Sequence, residues 1–108
     1  MIQVEIVRDR EGYRSFTADG HAGYDRSGRD IICAAVSVLT QNTVNAMEKL
    51  TEDAFSADID EKTGRLSVTF PDRLSANATL LMDAMVLGLE SIREAYGSRY
   101  LKIRFREV

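Results

Sequence analysis

Gly20-His21-Ala22-Gly23-Tyr24-Asp25-Arg26-Ser27-Gly28-Arg29-Asp30-Ile31-Ile32-Cys33-Ala34-Ala35-Val36-Ser37 is the stretch across which the apolar spacing of the chain changes period. Upstream, apolar residues alternate with polar ones, as in a strand with one buried face; downstream they recur at steps of three and four, as on one side of a helix. A strand, a glycine-bearing loop and a helix therefore meet here. The loop holds three of the seven glycines, and the stretch contains the single histidine and the single cysteine of the chain.

Reading backwards, Ile2, Val4 and Ile6 alternate with Gln3 and Glu5. Asp9-Arg10-Glu11-Gly12 supplies turn chemistry, and Tyr13 to Ala18 resumes the alternation, which predicts a hairpin. Reading forwards, Asp30 is the expected N-cap of a helix, accepting from the N–H of Ile32 or Cys33, and Ile32, Val36, Leu39, Thr43, Met47 and Leu50 are its apolar stripe. A second hairpin is predicted from Phe55 to Asp58 and from Leu66 to Phe70 around Asp60-Glu61-Lys62-Thr63-Gly64, with Pro71 ending it. Ser75 is the expected N-cap of a second helix. Its stripe is Leu81, Met85, Leu89 and Ile92, widened by Leu80, Ala84 and Val86, and Gly97 is the expected C′ residue. Leu101, Ile103 and Phe105 then alternate with Lys102, Arg104 and Arg106 in a closing strand with a basic outer face. The order ββαββαβ predicts an α/β (α+β) two-layer sandwich, with two helices packed on one face of a largely antiparallel five-stranded sheet.

With 108 residues, 44% of them hydrophobic, the expectation is a single domain spanning residues 1–108. Such a small body offers little surface for a deep cleft, and homodimerisation is the expected assembly. No apolar run reaches the roughly 20 residues needed to span a bilayer, so no membrane partner is expected and the reading is cytoplasmic. A formal charge of −3 argues against a dedicated nucleic-acid binder, and no direct nucleic-acid contact is expected. One cysteine excludes an intrachain disulfide, and with one histidine it is too little for a structural zinc site. The expectation is no metal and no cofactor.

A cysteine becomes a nucleophile when its thiolate is accessible, which from an unperturbed pKa of about 8.5 needs a positive charge or a helix N-terminus nearby. Cys33, three residues after the expected cap, lies in the first helical turn, where unpaired N–H groups act as roughly half a positive charge. His21 sits at the strand end feeding that helix and is the candidate base, with the N–H of Cys33 among the expected oxyanion donors. Asp30 is first a cap, and beside a histidine its carboxylate would favour the charged imidazole. Ser37, one turn beyond Cys33, either serves the site or bonds back to the backbone of Cys33. Two alternatives stand beside a thiol enzyme: a non-enzymatic binding module in which Cys33 is a small core residue, and a phosphate-binding regulator using Gly20-x-x-Gly23 and Gly28, although neither the Walker nor the dinucleotide pattern matches.

Gly20-His21-Ala22-Gly23-Tyr24, Gly28-x-Asp30-Ile31-Ile32-Cys33-Ala34-Ala35-Val36-Ser37 and Leu39-Thr40-Gln41 together resemble the signature of the bacterial ribosomal-processing cysteine protease family, Prp. The resemblance implies His21 as catalytic base and Cys33 as nucleophile, with Asp30 and Ser37 supporting. It also implies a loop over the site, Ala22 to Arg29, with Gly20, Ala22, Gly23, Tyr24 and Gly28 as its substrate-binding positions. It further implies a homodimer that removes a short N-terminal extension from large-subunit ribosomal protein L twenty-seven, cutting after an aromatic residue.

Overall fold

The computed structural model describes residues 1–25 and 30–108. Gly28 and the stretch 26–29 of the predicted loop lie outside the described residues. The order is β1 (Ile2–Asp9), β2 (Gly12–Asp19), α1 (Ile31–Leu50), β3 (Ser56–Ile59), β4 (Leu66–Thr69), α2 (Ala76–Tyr96) and β5 (Leu101–Glu107), the predicted ββαββαβ. The strands form one sheet in the order β3-β4-β2-β1-β5, antiparallel throughout except for the parallel pair β1–β5.

Side-chain parity decides which sheet face is covered. Ile2, Val4 and Ile6 of β1, Phe16 and Ala18 of β2, and Leu66 and Val68 of β4 are all buried, in one cluster with Ile32, Val36, Met47, Met82, Met85 and Leu89 from the helices. In β2 the alternation slips, because Val7 pairs with Ser15 while Arg8 pairs with Tyr13. The extra residue, Arg14, is a bulge, and it lets Tyr13 and Phe16, three apart, both be buried. The Tyr13 hydroxyl donates to Asp83 of α2. Burial and that carboxylate push the Tyr13 pKa up to about 12.

Both helices begin at the predicted caps. Asp30 accepts from the N–H groups of Ile32 and Cys33, and Ser75 accepts from that of Ala78. Gly97 stands at the C-cap of α2, one place before the C′ position expected of it, with φ +104°. The stripes need correcting at their edges. Leu50 is 71% exposed in the last turn of α1, and Leu80, at 66%, and Ala84 face outwards on α2. The buried face of α2 runs instead through Ala78, Met82, Met85, Val86 and Leu89, since α2 must meet α1 as well as the sheet. Its contact with α1 is close. A Cβ at Gly88 would lie 2.7 Å from the Leu39 side chain.

Strand directions gather the site. β2 ends where β1 and β5 begin, and β3, parallel to β2 through their shared neighbour β4, ends in a turn at that same end. The N-terminus of α1 and the C-terminus of α2 meet them there. Three segments remote in sequence, the start of β1, the β3–β4 turn and the α2–β5 junction, therefore frame the stretch that carries His21 and Cys33.

Candidate active site

Gly20 opens the site with φ +92°, and a Cβ there would come within 2.5 Å of the Met1 carbonyl oxygen. A side chain at position 20 would therefore strike backbone, which explains a glycine where β2 hands over to the loop. Immediately after it, the Met1 ammonium donates to the His21 carbonyl, tying the start of β1 to the segment that carries the imidazole.

Ala22 is buried, and its backbone N–H donates to Cys33 Sγ at 3.2 Å. Gly23 follows with φ +71°, turning the chain so that the Tyr24 N–H reaches Asp30 Oδ2 at 3.1 Å. Asp30 Oδ1 accepts from both Ile32 and Cys33 at 3.0 Å. One carboxylate therefore caps the helix and ties the loop to it. Desolvation pushes Asp30 up, but the N–H bonds from Cys33, Tyr24 and Asp25 and a bond from the Cys33 thiol outweigh it and hold the carboxyl below its ordinary range.

Cys33 is half-buried. Burial pushes its thiol up and the Ala22 N–H pulls it down. The Asp30 carboxylate pushes it up again, both by its charge and by accepting the thiol proton, while the Met1 ammonium works the other way; the net result lies above the ordinary thiol value. This corrects the expectation that the helix start leaves a low-pKa sulfur, because burial above all, and then the capping carboxylate, disfavour the thiolate. It also corrects the expected oxyanion donor, since the Cys33 N–H is occupied by Asp30.

His21 and Cys33 both line two adjoining cavities. One, of about 190 Å³, is floored by Ile2, Ala18, Val36 and Leu66. The other, of about 470 Å³, is bordered by Gly23, Asp25, Asp30 and Ala34. Among the described residues the imidazole makes no hydrogen bond to Sγ, and the sulfur lies between the Ala22 N–H and Asp30. Ser37 is exposed and lines both cavities, and its hydroxyl makes no bond to the backbone of Cys33. Tyr24 is 43% exposed, with its ring edge-on to those of Tyr96 and Tyr100.

Thr40 and Gln41, which stand in the signature but are given no role there, and Thr63 and Gly64, which are not singled out as site residues at all, complete the smaller cavity. Helical spacing from Cys33 through Ser37 points to Thr40 and Gln41. Thr63 and Gly64 arrive from the β3–β4 turn, for which no local pattern exists.

The cysteine protease Prp family model matches residues 1–102. Among curated relatives, the ribosomal processing cysteine protease Prp of Staphylococcus aureus is 32% identical over 97 residues, covering 89% of this chain and 92% of the relative. That of Bacillus subtilis is 35% identical over 101 residues, covering 89% and 90%. The crystal structure of the S. aureus protease with a covalently linked product peptide superposes with a TM-score of 0.92 at 29% identity, covering 98% of this chain and all of the other. A Streptococcus mutans structure superposes at 0.83 with 30% identity, covering 100% and 96%. With the family model matching residues 1–102 and relatives at 32–35% identity covering 89% of it, the chain belongs to the cysteine protease Prp family and is a cysteine protease.

Proposed function

We propose that this protease removes a short N-terminal extension from large-subunit ribosomal protein L twenty-seven in the cytoplasm, by attack of Cys33 assisted by His21. The observation that carries the reading is the placement of the one thiol and the one imidazole on the same two cavities, with a backbone N–H already directed at the sulfur. The resemblance of the loop and helix to a ribosomal-processing family supports the substrate. Its curated relatives are named ribosomal processing cysteine proteases, which supports a ribosomal protein as substrate.

In the reaction, His21 takes the Cys33 proton and the thiolate attacks the scissile carbonyl carbon, forming a C–S bond. His21 then gives that proton to the leaving amine as the C–N bond breaks, and water hydrolyses the thioester to release the N-terminal fragment. Asp30 holds the helix start and the loop together, and Ser37 borders the path along α1. The apolar cavity floor, Ile2, Ala18, Val36 and Leu66, suits an aromatic side chain next to the cut.

The working unit is proposed to be a homodimer. α1 carries no charged residue from Ile31 to Met47, and its exposed Ile31 and Val38 share the outer helical layer with exposed Leu80 and Leu87 of α2. An exposed face with these apolar residues suits a second copy of the chain.

Incubating the purified protein with N-terminally extended L twenty-seven and weighing the product by mass spectrometry tests the substrate. A single truncation after an aromatic residue is the expected result. An intact ribosomal protein, with cleavage of unrelated peptides continuing, overturns this choice of substrate.

A further inference from the structure

The segment between His21 and Asp25 is held from three sides, and two of these have been accounted for: the Ala22 N–H on Sγ and the Tyr24 N–H on Asp30. The third is aromatic. The Tyr24 ring lies 5.6 Å from that of Tyr96 at an interplanar angle of 81°, and 5.2 Å from that of Tyr100 at 79°. Two edge-on contacts from different directions fix a ring's orientation as well as its distance, which one apolar contact would not.

We propose that Tyr24, Tyr96 and Tyr100 form an aromatic clamp that sets the Ala22 N–H on the Cys33 sulfur, which makes Tyr96 and Tyr100 positioning residues for the nucleophile. This rests on the reading of Cys33 as the attacking group. The path is short. Only Gly23 separates the clamped residue from the donor, and the Asp30 bond fixes the Tyr24 backbone while the clamp fixes its side chain.

The two jaws belong to the scaffold, not to the loop. Tyr96 is the last residue of α2, whose end is closed by the Gly97 N–H on the Arg93 carbonyl. Tyr100 donates its N–H to the Gly97 carbonyl at 3.2 Å and accepts from the Ile2 N–H at 2.9 Å, which pins it to the start of β1. The Arg99 guanidinium lies 5.7 Å from the centre of the Tyr100 ring. A rigid corner of the fold therefore supports the loop ring, and through it the hydrogen bond to the sulfur. That bond favours thiolate over thiol, because a sulfur anion accepts more strongly.

The test is the pH dependence of Cys33 alkylation by iodoacetamide, read beside thermal unfolding. The titratable groups around the sulfur are Asp30, His21, the Met1 ammonium and, across the larger cavity, Asp25; every variant keeps them all. Tyr96→Leu and Tyr100→Leu are expected to move the alkylation midpoint to higher pH and slow the reaction at pH 7 by roughly three- to tenfold. Tyr96→Phe and Tyr100→Phe retain the ring edge and are expected to behave as wild type. Leu variants with a wild-type midpoint, or Phe variants as impaired as the Leu ones, overturn the clamp.

Should a scaffold variant fail to fold, the exposed Tyr24→Leu removes the ring from the other side. It is expected to give the same shift, whereas an unshifted profile overturns the proposal. If the Tyr variants leave alkylation unchanged while Cys33→Ala abolishes peptide cleavage, the clamp alone falls. If Cys33→Ala cleaves like wild type, the reading beneath it falls.

Discussion

At Cys33 two opposing electrostatic influences meet within one helical turn. The unpaired N–H groups at a helix start favour an anion, but Asp30 takes those of Ile32 and Cys33 for itself and brings a full negative charge beside the thiol. Burial is the largest influence raising the Cys33 thiol and the Asp30 carboxylate adds to it, so Asp30→Asn is expected to isolate the carboxylate's share. Asparagine keeps one acceptor oxygen for the N–H groups of Ile32 and Cys33 and so still caps α1, but its amide NH2 cannot accept from the Tyr24 N–H, so that tie to the loop is lost while the cap is kept. Removing the carboxylate lowers the Cys33 pKa, and the rate of alkylation by iodoacetamide at pH 7 is expected to rise. A slower reaction would mean that Asp30 acts mainly by holding the loop, and with it the Ala22 N–H, on the sulfur. Gly20 tests a different constraint. Gly20→Ala combines a positive φ with a 2.5 Å approach to a backbone oxygen. It is expected to cost about 1–3 kcal/mol by urea unfolding, and to reduce cleavage by shifting His21.

Among the elements, the α1–α2 contact controls how the helical layer lies on the sheet. Leu39 closes over Gly88, and a Cβ at position 88 would meet three atoms of that side chain between 2.7 and 3.5 Å. Gly88→Val is therefore expected to lower stability by roughly 1–3 kcal/mol through overpacking, seen as a lower Tm, with Leu39→Ala restoring part of the loss. The elements themselves were legible because each strand alternates and each helix announces its start, Asp30 and Ser75 being plain N-caps. What was not legible depends on partners. Leu80 and Ala84 look like stripe residues until α1 takes up the neighbouring side of α2, and the bulge at Arg14 appears only once Val7 and Arg8 of β1 choose their partners. In the site, spacing and residue type single out His21, Cys33 and Asp30. The sign of the Asp30 effect depends on how its two oxygens share five donors, which no local pattern encodes.

For the whole molecule, the sheet topology matters more than any single contact, because it brings the ends of β2 and α2, the starts of β1, β5 and α1, and the β3–β4 turn to one edge. The same arrangement leaves the outer helical layer uncovered, with Val38 69% and Leu87 66% exposed. Leu87→Glu is expected to convert a sedimenting dimer to a monomer without lowering the Tm of the subunit, and an unchanged sedimentation coefficient would place the interface elsewhere. The central claim is that one sulfur performs the attack. Its most direct test is mass spectrometry of an N-terminally extended ribosomal substrate incubated with wild type and with Cys33→Ala at matched, folded concentrations. A truncated product with wild type and an uncut substrate with Cys33→Ala is the expected result; truncation by Cys33→Ala at the wild-type rate would contradict it.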